Sequence, residues 1–87
     1  VNWQVYIILC ADDSLYTGIT TDIERRFQQH ASGKGAKYFR GRRPVQIVYQ
    51  EVGHSRSSAT IREYAIKCLS RSAKNSLLSG FKSVMQG

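Results

Sequence analysis

Apolar and polar positions change rhythm several times along the chain, and each change marks an element. Trp3 to Cys10 and Leu15 to Ile19 are runs of β-favouring residues, and the polar segment Ala11-Asp12-Asp13-Ser14 between them predicts the turn of a β-hairpin. Thr21-Asp22-Ile23-Glu24 has the pattern of a capping box, with Thr21 as N-cap of a first helix. Ile23 and Phe27 make an apolar stripe that Ala31 extends, and Ser32-Gly33 ends the run. After Pro44 the alternation Val45, Ile47, Tyr49 predicts a third strand through about Glu51, broken by Gly53-His54-Ser55. Ser57 is the expected N-cap of a second helix with an apolar arc of Ile61, Ala65, Ile66, Cys68 and Leu69. A short third helix, about Ala73 to Ser79, carries Leu77 and Leu78, with Gly80 as its stop. The order ββαβαα predicts an α+β domain: a small three-stranded, mainly antiparallel sheet flanked by helices. It leaves strand order open. Residues 1–80 read as the domain and 81–87 as a C-terminal tail, in which Phe81 and Val84 are placed to dock on the body.

Composition narrows the classes. A chain of 87 residues is one domain, burying roughly 60 to 65% of its unfolded surface, with little room for a second function. Thirteen Lys and Arg against six Asp and Glu give a net charge of +7, a field that favours polyanions, although net charge alone also serves solubility. Distribution tips the balance. Lys34, Lys37, Arg40, Arg42 and Arg43 fall in one acid-free stretch, interleaved with Tyr38, Phe39 and glycines, as in a loop that contacts phosphates and stacks on bases. Cys10 and Cys68 lack metal-ligand spacing and read as reduced, partly buried small residues. No run approaches the ~20 apolar residues that cross a bilayer, and no signal-peptide pattern opens the chain, so a cytoplasmic protein is expected. Val1 in the first position suggests that a few native residues precede it.

The candidate chemistry is a constellation. Tyr6 and Tyr16 stand on the two arms of the hairpin, so both phenols can be presented together. Arg26 and His30, four apart, share a helix face beside the buried stripe, and Glu63 lies in the second helical stretch. Each has an ordinary reading: strand packing for either tyrosine, an Asp22 partner for Arg26, a helix C-terminal cation for His30, a solvated position at the edge of the polar face for Glu63. Jointly, phenols, guanidinium, imidazole and carboxylate suggest phosphodiester chemistry.

At this spacing the residues resemble the GIY-YIG nucleases, specifically small single-domain bacterial members related to the nuclease module of the excision-repair incision subunit. The resemblance covers roughly residues 3 to 79. The first motif is degenerate, Val5-Tyr6-Ile7, and the second reads Tyr16-Thr17-Gly18, so both tyrosines and Gly18 are retained. The family's catalytic arginine falls on Arg26, its His/Tyr position on His30, its metal-binding glutamate on Glu63, and an asparagine that many members carry on Asn75.

The resemblance implies the GIY-YIG endonuclease fold and a metal-dependent endonuclease that cuts DNA to leave 5′-phosphate and 3′-hydroxyl ends. A lone carboxylate at Glu63 suits Mg²⁺ or Mn²⁺ that keeps most of its waters and completes its shell with substrate phosphate. Arg26 is assigned to clamping the scissile phosphate. The general base is open among Tyr6, Tyr16 and His30: resemblance favours a tyrosine, whereas His30, with a reference pKa near ~6.5, needs no large shift. A phenol near ~10 must fall about 3 units, and a cation is needed to bring it down, the candidates being Arg26, the metal and a phosphate-binding lysine such as Lys37. Gly18 permits close backbone or substrate approach. The expected partner is DNA, branched or damaged, in a repair setting, with the protein acting as a monomer. RNA as substrate and a non-catalytic nucleic-acid-binding module with the same fold are the alternatives.

Overall fold

Strand β1, Trp3–Cys10, is apolar on both faces and takes the centre of the sheet, where both faces are covered. The computed structural model describes the backbone of residues 2–86 and the side chains of residues 2–80. Strand β2, Leu15–Thr20, and strand β3, Pro44–His54, flank β1 in the order β2-β1-β3, both antiparallel to it. The α+β prediction and its three antiparallel strands therefore hold, and the open strand order is settled with the hairpin's first arm in the middle. Asp13, at φ 68, supplies the left-handed residue of the hairpin turn.

The two faces of β1 define two cores. Val5 and Ile7 pack with Val48 against Ala59 and Ile66 of helix α2, Arg56–Lys67, and against Leu77 and Leu78 of helix α3, Arg71–Gln86. Tyr6, Ile8 and Cys10 face the other way, toward Ile23 and Phe27 of helix α1, Ile23–Ala31, and toward Phe39 of the basic loop.

Several boundaries differ from expectation, each for a local reason. The N-cap of α1 is Asp22, not Thr21: Asp22 is extended at φ −146 and its carboxylate accepts from the Arg25 amide at 3.2 Å. The basic loop contains a 3-10 turn at Lys37–Phe39 that buries Phe39. Strand β3 runs past Glu51 because Trp3 pairs with His54, and the Gly53 amide donates to the Asn2 side chain at 2.6 Å. The N-cap of α2 is Ser55, not Ser57, in a reciprocal box with Ser58. Helix α3 starts at Arg71 and passes through Gly80, which lacks the positive φ of a C-terminal stop. The side chains of Phe81 and Val84 lie outside the described residues. Cys10 is buried and Cys68 exposed, and both are free thiols.

The largest departure is the rotation of α2. Of the arc Ile61, Ala65, Ile66, Cys68 and Leu69, only Ile66 is buried, while Ile61 is 69% exposed. The face turned inward is Ala59, Arg62, Glu63 and Ile66. Arg62 is held there by Glu51 of β3, whose carboxylate accepts from its Nε at 2.8 Å and also from Tyr49 and His54. A half-buried polar anchor thus sets the angle of the helix, and it draws the neighbouring Glu63 inward.

Candidate active site

Register builds the first part of the site. Tyr6 on β1 stands directly opposite Gly18 on β2, and the Tyr6 phenol lies over the glycine. A Cβ on Gly18 would come within 2.5 Å of the Tyr6 hydroxyl and 3.0 Å of the Tyr16 ring. The close approach expected at Gly18 is therefore that of the phenol itself. Tyr16, two residues earlier on the same strand, places its ring centroid 6.2 Å from that of Tyr6. Tyr6 is buried, whereas Tyr16 is only partly so.

Helix α1 lays Ile23 and Phe27 on this core and thereby presents Arg26 and His30 to the tyrosines. His30 is 1% exposed and both of its ring nitrogens are engaged. The Ala36 amide donates to Nδ1 at 3.2 Å, so Nδ1 carries a lone pair and the proton of the neutral ring sits on Nε2. Nε2 then donates to the Tyr6 hydroxyl at 2.9 Å. The chain can pass this closely because residue 35 is glycine; a Cβ there would collide with the imidazole. Phe39 stacks on His30 with centroids 4.2 Å apart, closing the pocket from the loop side.

Burial governs the titration of all three groups. His30 is lowered to about 4, by desolvation first and by the Arg26 charge second. Tyr6 is pushed far up by burial and by Tyr16, against hydrogen bonding and charge from Arg26. Tyr16 is also raised by burial, but Lys67 and then Arg26 pull it down, with Glu63 acting upward. These mutual influences place Tyr6, Tyr16, Arg26, His30 and Glu63 in one electrostatic neighbourhood.

Glu63 and Lys67 reach this neighbourhood from α2, which packs against edge strand β2. The Glu63 side chain is 21% exposed, and Lys67 Nζ lies 3.3 Å from its Oε2. Asn75 is not drawn in: it is exposed on α3, and among the described residues its hydrogen bond is with Arg71, at 3.2 Å. In the basic loop Lys34, Lys37, Arg40, Arg42 and Arg43 are exposed. Arg42 is tied down, paired with Asp12 of the hairpin turn at 3.0 Å and seated 4.4 Å over the Tyr38 ring.

The chain has relatives among known proteins. Residues 2–76 match the family model described as the GIY-YIG catalytic domain. The chain belongs to the GIY-YIG family. A UPF0213 protein of Desulfotalea psychrophila is 57% identical over 77 residues, which is 87% of this chain and 70% of that protein. A UPF0213 protein of Haloquadratum walsbyi is 55% identical over 73 residues, 84% of this chain and 82% of its own. The solution structure of a UPF0213 protein from Bacillus halodurans superposes with TM-score 0.59 at 51% identity, covering 91% of this chain and 84% of that one. A protein from E. faecalis, also solved in solution, gives TM-score 0.63 at 40% identity, covering 94% and 88%. The GIY-YIG domain places the chain in an endonuclease superfamily whose substrates are nucleic acids. Among the described residues no helix is long and apolar enough to cross a membrane.

Three neighbours of this cluster carry little signal in the sequence. Gly35 was legible only as a loop glycine, because its role depends on where His30 sits. Ala36 acts through its backbone, which leaves no side-chain signal. Lys67 carried one signal, its position four residues after Glu63, and that spacing is common in solvated helices. The lysine within reach of Tyr16 is thus Lys67 on α2; among the described residues the loop lysine, Lys37, is not a source of its shift.

Proposed function

We propose that the protein is a metal-dependent endonuclease that hydrolyses DNA phosphodiester bonds, leaving 5′-phosphate and 3′-hydroxyl ends. The observation that carries this reading is the convergence of Tyr6, Tyr16 and His30, with ring centroids 5.3 to 6.2 Å apart, within electrostatic reach of Arg26 and Glu63, from two strands and two helices. Packing alone does not require two phenols, a guanidinium and a carboxylate to meet.

The donor set suits a hard, well-hydrated ion. Among the described residues no group of three or more His, Cys, Asp and Glu could enclose a metal. Within the cluster Glu63 is the carboxylate, inward-facing yet accessible, which fits Mg²⁺ or Mn²⁺ held by one carboxylate, waters and substrate phosphate. When bound, such an ion stabilises charge on the departing oxygen. Arg26, at the centre of the cluster, holds the scissile phosphate and offsets its charge.

Tyr16 is the general base. His30 has both nitrogens committed, one receiving the Ala36 amide and the other donating to Tyr6, so no ring lone pair faces a water. Tyr6 is fully enclosed and accepts that bond. Tyr16 is the more accessible phenol; burial leaves its value raised on balance, and Lys67 and Arg26 are the cations that oppose the rise. His30 and Tyr6 act behind it as a fixed wall that orients the ring, and the basic loop extends the phosphate contacts.

Cleavage of labelled duplex, branched and single-stranded DNA with Mg²⁺ or Mn²⁺ tests the reading. Glu63→Ala is expected to abolish cutting while folding and most of the DNA affinity are retained. Binding without cleavage by the wild type would make the fold a binding module, and cleavage of RNA alone would move the substrate class.

A further inference from the structure

Helix α2 carries a cation to which the proposed chemistry assigns no contact with substrate. Lys67 is the helical neighbour of Glu63, its ammonium is 3.3 Å from the carboxylate, and its side chain is 50% exposed. A surface pair of this kind is ordinarily decorative, contributing ~0.3–0.5 kcal/mol. Two features separate this one. The carboxylate is turned inward by the Arg62–Glu51 anchor and is itself only 21% exposed. Moreover, Lys67 is close enough to act on Tyr16, ahead of Arg26. The lysine therefore lies between solvent and the cluster, at the carboxylate that would receive the metal.

We propose that Lys67 is a substrate-phosphate contact that Glu63 holds in reserve: its ammonium pairs with the carboxylate in the free protein and turns to a backbone phosphate when nucleic acid enters. This rests on the nuclease reading. Four methylenes give the ammonium the reach to move without moving the helix, and its three rotatable donors accept a phosphate oxygen in place of a carboxylate oxygen. The exchange also frees Glu63 for a cation, which a resident ammonium at 3.3 Å repels. The free protein thereby keeps its carboxylate neutralised, and substrate releases it.

The test is the salt dependence of DNA binding, read without cleavage. In a Glu63→Gln background the lysine loses its charged partner, and a mixed-sequence duplex is titrated at several salt concentrations with the single variant, with Glu63→Gln/Lys67→Met and with Glu63→Gln/Lys67→Arg. Loss of one phosphate contact is expected to reduce the log-log slope by ~0.9 in the methionine variant, with the arginine variant keeping the slope of the single variant. Identical slopes for all three overturn the proposal, as does an arginine variant that falls with methionine. Cleavage by the wild type, assayed separately, reports on the nuclease reading, so the two failures are distinguishable.

Discussion

At the scale of the residue, the site is governed by close approach and burial. Gly18 is constrained because the Tyr6 phenol occupies the space of its Cβ, 2.5 Å from the hydroxyl. Gly18→Ala must push the ring off its position, at a cost of ~1–3 kcal/mol, and should reduce cleavage along with stability. Chemical denaturation and a cleavage assay on the same preparation check both. His30 gives the fold a pH dependence of definite sign. Its folded value, about 4, lies below its unfolded one, so the unfolded chain binds more protons in between. The stabilising effect of a neutral His30 is complete above about pH 6.5 and is lost as pH falls toward 4, amounting to ~3 kcal/mol. Asp12 and Glu51, held lower than usual by their hydrogen-bond partners, begin to lose their contribution only near the ordinary carboxylate values, at the acid edge of this window. Stability measured between pH 7 and pH 4.5 should fall in the wild type and be flatter in His30→Gln. A flat wild-type profile would contradict the buried neutral ring.

At the scale of the element, the sheet was legible and the helix faces were less so. The hairpin, the first helix and the third strand follow from composition, alternation and turn chemistry, which are local signals. The N-caps slipped by one or two residues because Asp22 and Ser55 compete with Thr21 and Ser57, and the choice depends on where the preceding strand ends. Helix α2 was misread more seriously. Its longest apolar stripe, Ile61, Ala65, Cys68 and Leu69, faces out, because the long-range bond from Arg62 to Glu51 outweighs periodicity. The same rotation brings Glu63 toward the tyrosines, which is why its placement could be inferred from resemblance and not from a helical wheel. Substitution separates the two faces: Ile66→Ala, at a fully buried position, should cost ~2–5 kcal/mol, whereas Ile61→Ser should stay within ~0.5 kcal/mol. Denaturant midpoints measure the contrast, and equal losses would contradict the observed rotation.

At the scale of the whole molecule, the two faces of one small sheet divide the work. The Val5 and Ile7 face carries α2 and α3, and the Tyr6 face carries α1, the basic loop and the Tyr6, Tyr16, Arg26 and His30 part of the site, to which Glu63 comes from α2 beside edge strand β2. A net charge of +7, concentrated in exposed cations of the loop beside that face, draws a polyanion toward the tyrosines. Membership of the GIY-YIG family places the chain in an endonuclease superfamily. In the proposed reaction Tyr16 takes the proton from the attacking water. Tyr16→Phe removes a single oxygen from a partly exposed ring and leaves the hairpin packing intact. Its most direct test is the single-turnover cleavage rate of labelled duplex DNA with Mg²⁺, at protein concentrations that saturate both wild type and variant. Equal DNA affinity is expected, with a rate lower by ~10²–10⁴-fold, the range for loss of a general base. A variant that cuts as fast as the wild type would contradict that role for Tyr16.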